Sequence, residues 1–345
     1  MIFTSSKCPL PALVAWCRTL KHSLGAGLDP IKIFKQQAKS GPRALRTLAT
    51  EIAGKLAKGS SLEDALEPHR STFPPLFIEL VAVGEQSGRL EDTFSELADY
   101  YETTLKVQRD FRSQMAYPAI MFVSAVLIVS ALVFILGMLG SALDPLGLGL
   151  TGTSGAITIL GVCFGGAGLV LALLKMSANK VQWKALLESF LLIVPGWGPA
   201  MLNFALHRFC VALRMTLEAA LRTEKVIHYS FRATSNAAFM SREDAAIAIA
   251  KKGGELHEVV RKCGAPFPED FGDMVEVGDV SGDMSELMEK LSRNYLTEAS
   301  RKLKEAAQFT SWAIYGMMAI VLIILIFSIA TKAYINPLNE ATKGL

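Results

Sequence analysis

The sequence predicts an all-α integral membrane protein with two homologous cytoplasmic helical bundles and three transmembrane helices, and three observations carry that expectation. One stretch occurs twice. Residues 73–101 and 267–295 align without a gap and share Phe-Pro, a second Phe, two Val, Gly-x-x-Ser-Gly, one Leu and a Tyr. Three long segments are nearly free of charge, although the chain as a whole is 19% charged. Elsewhere apolar residues recur at helical spacing, punctuated by Gly, Pro and Ser. Matches at so many fixed offsets mark an internal duplication.

Each copy of the repeat reads as two helices joined by a tight turn. The first helix is expected over 76–83 and 270–277, each preceded by the Phe-Pro breaker. The turn then falls on Gly84-Glu85-Gln86-Ser87-Gly88 and on Gly278-Asp279-Val280-Ser281-Gly282, where Gly permits positive φ. Beyond it Leu90, Phe94, Leu97 and Tyr101 share one helix face, and Met284, Met288, Leu291 and Tyr295 repeat the spacing. Asp283 with Glu286 fits a capping box at the second of these starts.

Ahead of the first copy, Leu13, Trp16, Leu20 and Leu24 mark a helix stopped by Gly25-Ala26-Gly27. Residues 31–39 make a second helix, ended by Ser40-Gly41-Pro42. Residues 44–58 make a third on Leu45, Leu48, Ile52 and Leu56, and 62–67 a short fourth before Pro68. The last helix of the hairpin is expected to run on through Arg112. Further along, 181–194 reads as an interfacial amphipathic helix. The first helix then recurs over 202–221, where Leu213, Leu217, Ala219 and Leu221 answer Leu20, Leu24, Ala26 and Leu28. Lys58-Gly59-x-x-Leu62 recurs as Lys252-Gly253-x-x-Leu256, so the duplication covers most of each bundle. Glu218-Ala219-Ala220 replaces the Gly-containing stop, and that helix is expected to continue.

A bilayer-crossing helix needs about 20 apolar residues. Residues 116–140, 156–175 and 311–331 each supply them, leaving 1–115 and 176–310 as the bundles. Tyr117-Pro118 sits at the mouth of the first span, an interfacial ring followed by a residue suited to a first turn. Gly161 and Gly165 give the second a close-packing face, and Trp312 and Tyr315 open the third. Lys and Arg concentrate in the bundles and are absent from the loop 141–155. Positive-inside placement puts the N-terminus and both bundles in the cytoplasm, and that loop and the tail 332–345 outside. The first residues lack a basic region followed by a long apolar core, so no cleavable signal is expected.

Catalytic signals are missing. A net charge of +3 without a basic-aromatic motif argues against nucleic acid. The five Cys have no paired spacing, which points to reduced thiols rather than disulfides or zinc. Neither Gly-x-x-x-x-Gly-Lys-Ser/Thr nor His-Glu-x-x-His occurs. The spans hold no Asp, Glu or His of the kind that intramembrane catalysis or ion coupling requires. Asp279-x-Ser281-x-Asp283 begins like a calcium loop, but Met284 stands at its Gly position and Lys290 at its Glu position. No catalytic residue, metal or cofactor is therefore expected, and the chain reads as a scaffold or coupling protein rather than an enzyme.

With this order of bundles and spans, the sequence resembles the inner-membrane platform proteins of type II secretion systems and type IV pilus assembly. The likeness rests on Pro74, Gly84, Glu85, Ser87, Gly88 and Leu90, and on Pro268, Gly278, Ser281 and Gly282 with Asp279 for Glu and Met284 for Leu. Tyr117-Pro118 and Ala26-Gly27-Leu28 match as well, and the resemblance covers nearly the whole chain. It implies a platform that couples a cytoplasmic hexameric ATPase to assembly of pilin or pseudopilin subunits, for protein secretion or pilus biogenesis. Other inner-membrane assembly proteins, membrane lipid and further copies of the chain are the implied neighbours. The alternative is a membrane subunit of an ATPase-driven transporter. The resemblance makes Gly84, Glu85, Ser87, Gly88, Gly278, Asp279, Ser281 and Gly282 candidate partner-binding positions, with Glu85 and Asp279 as exposed acids or else turn caps. Tyr117, Pro118, Gly161 and Gly165 would serve span packing. Members of that family commonly carry several dozen residues ahead of the first bundle, so ATPase contacts made there are expected to differ in this chain.

Overall fold

The computed structural model describes residues 8–138, 152–177 and 197–331, and every regular element among them is helical. In chain order the helices are α1 Leu10–Gly25, α2 Pro30–Ser40, α3 Arg46–Leu56, α4 Leu62–Leu66, α5 Pro75–Ser87 and α6 Leu90–Met138. There follow α7 Gly152–Ser177, α8 Trp197–Glu218, α9 Thr223–Ala233, α10 Ala237–Met240, α11 Glu243–Lys251, α12 Leu256–Cys263, α13 Glu269–Ser281 and α14 Met284–Ala330. Local chemistry sets many of the starts. Pro opens α2 and α5 in the first turn, and Asp29, Ser61 and Asn236 cap α2, α4 and α10 with their side chains.

Two compact units result. The first joins residues 8–109 to 198–302, and the second joins 110–138, 152–177 and 303–331 with Trp197.

The duplicated sequence folds into duplicated packing inside the first unit. Phe73 stacks on Phe77 at 4.7 Å and Phe267 on Phe271 at 5.2 Å, so each Phe-Pro breaker plants its ring on the helix it introduces. Trp16 meets Phe73 at 5.5 Å, and Phe209 meets Phe267 at 5.1 Å. Cys17 and Cys210, one residue past these rings, are both fully buried.

The two cores are joined across a seam. Helix α5 is buried along 76–84, where every residue but Glu79 is apolar or Gly, so it needs cover on more than one side. Its far side is covered by α9, where Ala82 and Val83 pack with Tyr229 and Leu221. Val211, Ala212 and Met215 of α8 complete the first core. His207 stacks on Tyr100 at 5.3 Å, and its Nδ1 lies 3.0 Å from the carbonyl and 2.8 Å from the hydroxyl of Ser292. Burial pushes that imidazole down to about 4, so it sits there neutral.

Four sequence expectations are revised. The helix expected over 76–83 continues through Ser87, and only Gly88 breaks it, at φ 72°. The helix expected to run through 202–221 stops at Glu218, because Ala220 turns left-handed at φ 51°, as Gly27 does at φ 73° in the first copy. An L-residue in that region costs about 1 kcal/mol. Packing offsets it: the turn delivers Leu221 to the seam, and its N–H reaches the Thr216 carbonyl at 3.3 Å. Pro118 does not open a helix but lies inside α6, buried, where it removes one backbone donor without ending the helix. Helix α14 begins at Met284 as expected, but the Asp283 N–H donates to the Ser281 hydroxyl at 3.3 Å rather than closing a box with Glu286. The amphipathic segment 181–194 lies outside the described residues.

In the second unit, α6 and α14 are long and apolar enough to cross a membrane, and the apolar stretch of α7, Gly152–Gly166, is shorter. Many of their apolar side chains point outward, Ile120, Ile128, Ile320 and Phe327 each at least 60% exposed, while Val126 and Val133 are buried. Tyr117 meets Tyr315. The close approach of backbones falls at Gly137 and Gly152, where a Cβ on the first would collide with the second. Gly161 and Gly165, expected to pack, have open space beside them: a Cβ at either position would meet nothing within 4 Å among the described residues.

Candidate functional site

The repeated Gly-acid-x-Ser-Gly segments form the C-terminal turns of α5 and α13, and each residue type has a local task. Gly88 takes the left-handed cap at φ 72° and Gly282 at φ 77°, conformations that L side chains disfavour. After Gly88 the Arg89 N–H returns to the Gly84 carbonyl at 2.8 Å, closing the helix end; after the second helix Gly282 N–H reaches Gly278 at 3.1 Å. Ser87 donates its hydroxyl to the Val83 carbonyl at 2.8 Å.

The acids face the chain, not solvent. Glu85 Oε1 accepts from the Leu62 N–H at 2.6 Å and Oε2 from the Glu63 N–H at 2.9 Å. Ser61 accepts from Asp64 at 3.0 Å, so all three leading donors of α4 are satisfied. Asp279 repeats the device more weakly. Its Oδ2 accepts from the His257 N–H at 3.1 Å and lies equally far from the Nδ1 of that ring. Asp is one methylene shorter, and Glu255 at the cap position accepts from none of the leading N–H groups of α12, its carboxylate lying 3.4 Å from the His257 ring instead. Glu255, His257 and Asp279 bring three potential ligand atoms within 4.8 Å of one another, but Asp279 Oδ2 already serves this cap and the His257 ring lies against it. Of the two roles expected for these acids, exposed contact or capping, the hydrogen bonds are of the second kind: both acids are half-buried and bond the start of the preceding short helix.

Gly84 and Gly278 are buried because the next helix crosses them. A Cβ at Gly84 would collide with Thr93 Oγ1 and stand 2.8 Å from Thr93 Cβ, which is stiff and anchored by its bond to the Arg89 carbonyl. At Gly278 the neighbours are the tips of Leu287 and Met284, at 2.8 and 2.9 Å. Those tips can swing aside. Gly84→Ala is therefore expected to lower stability by about 2 kcal/mol and Gly278→Ala by clearly less. Unfolding midpoints of the detergent-solubilised full chain measure both, and Thr93→Ala should rescue only the first.

Beside the first motif a cleft is lined by Arg89, Asp92, Glu96, Arg214 and Glu218. Its charges are already matched, with Arg214 on Glu96 at 2.7 Å and Arg89 on Asp92 at 2.9 Å. What remains open to solvent around the motifs is Gln86, Gly88, Arg89, Val280, Ser281, Gly282 and Asp283. Sequence reading missed Glu79, a buried acid of the first copy held by the partly exposed Arg70; in the second copy Gly264 and Asp273 stand at these positions, and Asp273 pairs with Arg261 instead.

Comparison with known proteins matches this architecture to the family described as type II secretion system (T2SS), protein F, over residues 16–138 and again over 209–331. Among curated proteins the chain is 24% identical to a type IV pilus assembly protein PilC of Thermus thermophilus, covering 94% of this chain and 82% of that one. It is likewise 24% identical to a type II secretion system protein F of Pseudomonas aeruginosa, over 84% of this chain and 74% of the other. A type IV pilus assembly protein TapC of Aeromonas hydrophila matches at 24% over 80% and 69%. The family match falls twice on the two halves that the repeated motif, the paired aromatic cores and the shared helix order had already set in register, and the chain belongs to the type II secretion system protein F family.

Proposed function

We propose that this chain is the inner-membrane platform of a type II secretion or type IV pilus-like machine. On this reading it works without catalysis, coupling a cytoplasmic ATPase to assembly of pilin-like subunits. The observation that carries the proposal is the doubled family match over two helical repeats, each running into a long apolar helix. Three spans, with both repeats in the cytoplasm and the tail outside, agree with the distribution of Lys and Arg. Partner contact falls on the exposed rim of the motifs, Gly88, Ser281 and Gly282, while Gly84, Glu85, Gly278 and Asp279 shape the helix ends that present it, with Ser87 between.

The test places a photo-crosslinking residue at Asp92 and, separately, at Asp283, with Thr50 as an exposed control, in the native organism. Mass spectrometry identifies what is captured. A hexameric ATPase or a pilin-like subunit at the motif sites but not at Thr50 supports the platform role. A solute-binding or transport subunit overturns it.

A further inference from the structure

The seam between the repeats leaves a matching pair of surfaces unused. Within the chain, Val83 of α5 is 1% exposed because α9 covers it, and Gln86 donates to the Tyr229 hydroxyl at 2.8 Å while Lys225 donates to Gln86 at 2.8 Å. The repeat register converts each partner into its counterpart. Val83 and Gln86 of α5 become Val277 and Val280 of α13; Leu221, Lys225 and Tyr229 at α9 become Leu28, Lys32 and Gln36 at α2. These counterparts do not meet. Val277 is 64% exposed, Val280 85% and Leu28 42%; among the described residues of the first unit only Met240, at 45%, is another large apolar side chain so open.

Symmetry says what this means. A twofold relation between the repeats would cover both faces at once; covering one and leaving the other makes the contact heterologous, which can be extended by another copy. Charge agrees. Helix α2 carries Lys32, Lys35 and Lys39 and no acid, whereas α13 carries Glu269, Asp270, Asp273, Glu276 and Asp279 and no base. Arg261 neutralises part of the acidic face through Asp273 and Glu276, and the three lysines, all exposed, make no ion pair among the described residues. Such complementarity fixes orientation and suppresses like-to-like pairing.

We infer that two copies of this chain associate head to tail, the α13 face of one, at Val277 and Val280, seated on the α2 face of the next, at Leu28, Lys32 and Gln36. The contact repeats between chains the one that α5 and α9 make within a chain. It deepens the platform reading only by naming a self-contact and does not depend on the ATPase or the pilin-like subunits.

Two differently tagged full-length chains, one Gln36→Cys and the other Val280→Cys, are co-expressed in the native membrane and treated with a short bismaleimide. The parent chain gives the background from native thiols. The expected result is a product carrying both tags, absent when Thr50→Cys replaces Gln36→Cys. Lys32→Glu with Lys35→Glu should lower its yield about tenfold, the effect of losing about 1.4 kcal/mol. An unchanged thermal unfolding midpoint for that variant shows that the loss is not misfolding. A product no stronger than the Thr50 control overturns the inference, as does a dominant Val280–Val280 product, which would mean a twofold contact. Crosslinks from Val280→Cys to another protein without the doubly tagged product also overturn it, and leave the platform role standing.

Discussion

Arg70→Met is expected to destabilise the first unit by about 3 kcal/mol at neutral pH, since removing the partly exposed Arg70 strands the buried Glu79. Glu79 lies on α5 with 1% of its surface exposed, and Arg70 Nη1 donates to it at 2.7 Å while Nε holds Glu67 at 2.6 Å. Desolvation raises the Glu79 carboxyl above its ordinary 4.5, and Arg70, through its hydrogen bond and its charge, pulls it back. Without Arg70 that restraint is gone and the folded-state value rises further. A carboxyl raised in the folded state prefers its proton there, so the penalty is absent below 4.5 and complete only above the folded-state value. The deficit of Arg70→Met should therefore shrink as pH falls from neutral toward 4.5, and Glu79→Gln in the same chain should recover most of it. Unfolding midpoints across that range decide the matter, and a deficit independent of pH would reject the stranded-charge account.

Glu85→Ala should cost about 3 kcal/mol, because two backbone donors lose a charged acceptor. The loss is local to the start of α4, so amide hydrogen exchange at Leu62 and Glu63 should accelerate more than elsewhere in the unit. Glu85→Asp imitates the second repeat and should keep about half of the effect, since the shorter side chain reaches one donor there. Asp279→Ala is accordingly the milder of the two alanine changes. If Glu85→Ala instead left stability and exchange untouched while filament assembly failed, the carboxylate would belong to a partner surface and not to the fold.

Most of the helices are legible in the sequence because their signals are local. Leu13, Trp16 and Leu20 lie on one face, Asp29 and Ser61 precede helices they cap, and Pro75 falls where a first turn tolerates it. The apolar run over 76–83 carries a further message. Apolar but for Glu79, it announces a helix covered from two directions, and the second cover is α9. Glu85 stands out within its motif, but its partners lie more than twenty residues upstream, at a separation that no periodic pattern reaches. Ala220 shows the opposite limit: propensity favours continuing the helix, and the seam overrules it.

The sequence alone determined the all-helical class, the duplication and the positions of the apolar segments, since periodicity and composition act within a few residues. Tertiary structure decided that the two repeats share one unit, that the motif acids close neighbouring helices, and that one face of each repeat stays uncovered. Those outcomes depend on which surfaces meet, and a helix encodes what its faces bear rather than what will be laid against them.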